Sequence, residues 1–134
     1  MELDFMLQLN REINTFDLFA ESSIGFLCRD ESISIMAMPG GAETKFMDGS
    51  KDKDYQVQVY AKSMNRSKCF KALTTIYQRL ETLGELPSSN DSYDFNKIET
   101  KSLPSLVVED ERGYLVYALS ISVKITIYRG VLEK

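Results

Sequence analysis

The sequence predicts an α+β domain over residues 1–134: a twisted, mainly antiparallel sheet with a main helix at about 66–83 packed on one face, and a second helix at the N-terminus. Three patterns predict it. Residues 114–128, YLVYALSISVKITIY, carry Leu115, Tyr117, Leu119, Ile121, Val123, Ile125 and Ile127 at every second position, the period of a strand with one buried face. Residues 54–62 alternate in the same way, with Tyr55, Val57, Val59 and Ala61 on one face. Between these strands, Cys69, Phe70, Leu73, Ile76, Tyr77, Leu80 and Leu83 recur at three- and four-residue intervals, the stripe of a helix that buries one side.

In chain order, Glu2 to Thr15 reads as an amphipathic helix with Leu3, Met6, Leu7 and Ile13 at near-helical spacing, widened by Phe5 and Leu9. Glu2 and Asp4 in its first turn and Arg11 near its end suit the helix dipole. Residues 16–28 are ambiguous between a helical remnant at Asp17, Leu18 and Phe19 and a short strand at 24–28. Residues 32–38, SISIMAM, alternate as a strand and stop at Pro39-Gly40-Gly41. Residues 39–53 form the longest expected loop, with Phe46-Met47 as an apolar pair in polar surroundings; a loop tucking two side chains onto the core accounts for the pair, as does an anchor for a partner. Asp48, Asp52 and Asp54 do not follow the EF-hand order of ligands and glycine. Asn65 is the expected N-cap of the main helix and Gly84 its stop. After a polar connector at 88–92, residues 93–101 and 103–109 read as two strands, the second beginning at Pro104. Asp110-Glu111-Arg112-Gly113 then turns the chain into the long strand. At roughly 3.3 Å per residue that strand would span about 50 Å, so it is expected to outrun its own domain.

Composition narrows the chemistry. With 43% apolar and 27% charged residues the chain is ordinary for a globular protein. It has no His, the commonest general base and metal ligand, and no nucleophile motif or phosphate-binding loop, so neither an enzyme nor a cofactor is expected. Cys28 and Cys69 lack CxxC spacing and are expected to be buried thiols in a reducing cytoplasm, since the first residues do not resemble a signal peptide. No apolar run is long enough to span a bilayer, so no membrane partner is expected. Sixteen basic against 20 acidic residues give a net charge of −4, which disfavours general nucleic-acid binding; Lys62, Arg66, Lys68 and Lys71 are the best basic cluster, yet lack stacking aromatics or a reading module.

The strand–helix join from Val57 to Leu83, then Pro104, the acidic turn Asp110-Glu111 with Gly113, and the long terminal strand together resemble the tail terminator and minor capsid proteins of long-tailed bacteriophages. The resemblance covers the chain from about Val57 onward. It implies a non-enzymatic virion subunit, assembled in the bacterial host cytoplasm, that forms a closed ring, commonly a hexamer. The ring would stack on the tail-tube protein and face the head connector. A heterologous interface closes into such a ring when its rotation permits, and a weakly acidic chain suits a channel through which DNA slides, because phosphate binding rests on basic residues. On this reading Phe46 and Met47 are the expected inter-subunit anchors, and Ser120, Ser122, Lys124 and Thr126 form the exposed face of the long strand, available to a neighbour or to the lumen. The alternative is a ferredoxin-like regulatory module that dimerises through a sheet edge and binds a small ligand.

Overall fold

A computed structural model describes residues 2–132. Among them the order is helix α1 (Phe5–Ile13), strands β1 (Ser22–Ile24), β2 (Ser32–Met38), β3 (Glu43–Lys45) and β4 (Lys51–Ser63), helix α2 (Arg66–Glu81), and strands β5 (Tyr93–Glu109) and β6 (Leu115–Ile127). The fold is α+β. The strands form one sheet in the order β1-β2-β4-β6-β5, with β3 paired to the end of β4. Only β1 and β2 run parallel; the other pairs are antiparallel.

The alternating residues of β4 and β6 are placed as their period requires. Val57 faces Ile121, Val59 faces Leu119 and Tyr55 faces Val123, all buried on one side of the sheet. Helix α2 lies on that side with Cys69, Ala72, Leu73, Ile76 and Leu80 buried. Its start is fixed by Asn65, whose side-chain oxygen accepts from the backbone N–H groups of Ser67 and Lys68 at 2.9 and 3.4 Å. Its end comes at Glu81, before Gly84, where Thr82 caps the last turn.

Helix α1 covers the other end of the same face. Phe5, Leu9 and Ile13, spaced four apart, are its buried stripe, and the Phe5 ring packs 4.9 Å from Tyr55 and 5.6 Å from Tyr93. Leu7, expected in the stripe, is exposed. Glu2 and Asp4 also lie outside the first turn: Glu2 bridges to Leu132, and Asp4 is the residue before the helix. The Asp4 carboxylate turns back into the connector, accepting from Ser88 Oγ at 2.6 Å, Ser89 N at 2.8 Å, and Ser89 Oγ and Ser92 Oγ at 2.9 Å each. Burial alone would raise its pKa, yet these hydrogen bonds hold it down at about 2.

Four expectations change. The long strand does not outrun the sheet: β6 is central, and β4 matches it residue for residue from Lys51↔Ile127 to Ser63↔Leu115. Its length is therefore used up inside the subunit. The loop at 39–53 holds a hairpin, β3 against β4, closed by Phe46 N–H donating to Ser50 O at 2.9 Å. Gly49 sits in its turn at φ 91°, where a Cβ would lie 2.7 Å from the Arg129 side chain. The two strands expected at 93–101 and 103–109 are one strand, kinked by register shifts, with Pro104 inside one of them. Finally, Asp17, Leu18 and Phe19 are not helical, and the short strand falls at Ser22–Ile24 rather than 24–28. Asn14 orders that strand by both donating to and accepting from the Ser22 backbone.

Candidate assembly interface

The sheet has one face under the helices and a second face that no helix covers among the described residues. On this second face Gln56 and Gln58 of β4 pair with Ser122 and Ser120 of β6, Asp54 and Asp52 pair with Lys124 and Thr126, and Tyr60 and Lys62 face Ala118 and Val116. Short polar side chains at alternate positions satisfy one another across the strands. Gln56 donates to Ser122 Oγ at 2.9 Å and Gln58 to Ser120 Oγ at 3.3 Å, while the Tyr60 hydroxyl donates to Gln58. Thr126 donates to Asp52 at 2.7 Å and accepts from Asn96 at 3.1 Å. Lys124 stands between Asp54 of β4 and Lys97 of β5.

This network corrects the picture of a freely exposed row. Ser122 is only 1% exposed, beneath the Gln56 side chain, and Ser120, Lys124 and Thr126 are half-buried. The result is a hydrogen-bonded polar carpet, stiffer than four solvated side chains would be.

Phe46 and Met47 lie at the tip of the β3–β4 hairpin, distant in sequence and strand position from the 120–122 part of the carpet. Phe46 is 46% exposed and Met47 is fully exposed, so the pair does not tuck into the core. The turn beneath them is firm: Asp48 Oδ1 accepts from Ser50 N at 2.9 Å and Ser50 Oγ at 2.6 Å, and these bonds lower the Asp48 pKa.

The other residues singled out from the sequence divide among local roles. Asp52 receives Thr126, as above, so the three loop aspartates do not act as one group. Lys62 donates to Cys28 O at 3.2 Å and lies near Asp110 and the Tyr114 ring; Lys68 pairs with Glu31 at 3.3 Å. The basic cluster is thus spent partly on tying the 28–31 loop to the sheet. Cys69 is buried and its thiol pKa is raised by that burial, but Cys28 is exposed, against expectation.

One surface escaped the residue-by-residue reading. The outer edge of β5 pairs with no strand among the described residues, and its second half exposes Leu103, Leu106, Val107 and Val108. The missed signal was the uncharged run SLPSLVV at 102–108.

No curated protein matches the chain. The family model described as "Bacteriophage tail terminator protein" matches residues 20–127, a span that takes in every strand, the hairpin tip, α2 and the whole polar carpet. The chain therefore belongs to the bacteriophage tail terminator family and is a structural component of the phage virion.

Proposed function

We propose that the chain is a non-enzymatic subunit of a closed ring that caps the phage tail tube at the head–tail junction, with the tail-tube protein on one side and the head connector on the other. The observation that carries this reading is the uncovered second face of the central sheet. Across the middle of β4 and the second half of β6 it is polar, and Gln56, Gln58, Tyr60, Ser120, Ser122 and Thr126 bond to neighbours on the sheet. Such a face suits the lining of a channel, because it offers DNA few unpaired donors to grip. The chain's net charge of −4 acts in the same direction. Ser120, Lys124 and Thr126 would face the lumen or a neighbouring subunit, and Ser122 would hold Gln56 flat beneath them. Phe46 and Met47, large and apolar on a firm hairpin, would insert into the adjoining subunit or the tail tube, as aromatic and Met side chains do at the centres of interfaces. Assembly would take place in the host cytoplasm.

The test is the mass by light scattering, with negative-stain images, of the purified chain mixed with its tail-tube protein. Closed rings on the tube ends are expected. Phe46→Ser with Met47→Ser should keep the fold and lose a large part of this binding. A wild-type chain that stays monomeric and off the tubes overturns the proposal.

A further inference from the structure

The sheet ends in two unlike edges, each flanked by exposed apolar side chains; at the β1 edge the Ser22 backbone is already held by Asn14. At one end β5 has no outer neighbour among the described residues, and from Ser102 to Val108 it carries no charge. Leu103 is 63% and Val107 57% exposed, Leu106 and Val108 are about as open, and half of Phe70 is exposed beside Tyr117, which pairs with Leu106. Together these five side chains present on the order of 500 Å² of apolar surface, shared between the two faces of the edge, with Leu106 beside Tyr117 on the helix side and Val108 beside Val116 on the other. Edge strands that stay single carry lysines or prolines, bulges, inward charges or a cover. Along 102–108 the lysines are absent, and Pro104 with the bulges leaves short lengths of unpaired backbone, rather than one regular row, beside apolar side chains.

At the other end β1 pairs only with residues 33–35 of β2. Residues 36–38 of β2 have no strand on their outer side among the described residues. Beside them Ile24 and Leu7, with Leu3, Met6, Tyr55 and Met36, line a cleft of about 250 Å³, and Phe26, two residues after β1, is 88% exposed.

We propose that the outer edge of β5 docks against the β1–β2 edge of a second copy of this chain, so that the sheet continues from subunit to subunit. The proposal rests on the ring reading above and names the surfaces that close the ring. A β5-to-β5 contact would bury one apolar edge and leave Ile24, Leu7 and Phe26 in water. Joining unlike edges buries both, and repeats head to tail, which is the contact type that a ring requires. The apolar surface along β5, on the order of 500 Å², is more than half of the roughly 800 Å² that each partner buries in a standard interface; added backbone pairing and the polar rim would supply the rest.

Two measurements test it, each made on the chain in the presence of its tail-tube protein. Val107→Glu, at an exposed position, should leave circular dichroism and melting unchanged. It should also weaken subunit association on the order of 100-fold, because a charge would be buried without a partner. In a Cys28→Ser background, Phe26→Cys combined with Val107→Cys should give a ladder of species under a short bis-maleimide, from two copies upward, whereas Val107→Cys alone should give none. Rings that form equally well with Val107→Glu overturn this assignment and leave the ring reading standing. A single Val107→Cys that saturates as a dimer overturns it too, by showing β5 against β5. A wild-type chain that never associates removes both.

Discussion

Replacing Asp4 by Ala should be the most informative single change to stability, because one carboxylate ties the start of α1 to the connector at 88–92. The residue is buried, and its oxygens accept from Ser88, Ser89, Ser92 and, at 3.2 Å, Gln8 Nε2. Its pKa of about 2 lies below the ordinary 3.8, a difference worth about 2 kcal/mol at neutral pH. The folded-state pKa is depressed, so this stabilisation is fully present above about pH 4 and is lost as pH falls through about 2. Removing the carboxylate also strands serine hydroxyls that would have to find new partners, so Asp4→Ala should cost about 3 kcal/mol in all. For a chain of this size that is a fall in melting temperature of roughly 10 °C. Thermal unfolding of both proteins between pH 7 and pH 2 is the assay. The gap between them should narrow by about 2 kcal/mol as the pH drops from 4 to 2. A gap that stays constant with pH, or a variant as stable as wild type at pH 7, would refute the view of Asp4 as an ionised hub.

Two further substitutions probe the frame that positions the interface. Leu73→Ala removes a fully buried side chain where α2 meets β4 and β6, and should cost about 2–5 kcal/mol in denaturant unfolding, with a cooperative transition retained. Gly41 has φ 90°, and a Cβ there would stand 2.1 Å from the Asp54 carbonyl oxygen. Gly41→Ala should therefore destabilise by about 1–3 kcal/mol and speed amide exchange through the β3–β4 hairpin, while protection at Val57 and Leu119 is kept.

The parts of the fold that were legible in the sequence are those where one periodic signal sufficed. The central strands alternate over a face that the helix stripe buries, and Asn65 marks the helix start. What the periodicity could not give was partnership. The length of the terminal strand looked like a surplus because its equally long partner, β4, begins in a charged stretch, KDKD at 51–54, that reads as loop. The short β3 is hidden for the same reason: Glu43, Thr44 and Lys45 bury nothing and are ordered by backbone pairing and the turn at Gly49. In β5 the bulges break the alternation, and Pro104 looks like a boundary although it lies within the strand. Strand β1 depends on Asn14 and β2, contacts that no local pattern announces.

The candidate interface was legible to a similar degree. Ser120, Ser122, Lys124 and Thr126 do share the uncovered face, but the cover over Ser122 comes from Gln56, 66 residues away in sequence. That Phe46 and Met47 point outward follows from a hairpin the sequence did not reveal. The run at 102–108 was visible as uncharged and apolar, yet only the strand order shows it to be an edge.

The central claim, that this chain ends a tail tube, is tested most directly by the growth of the tube itself. Tail-tube protein polymerising in the presence of a fluorescently labelled chain should give tubes that carry the label at one end and stop lengthening from that end once it is bound. Label spread along the tubes, or tubes that lengthen at an unchanged rate from the labelled end, would contradict it.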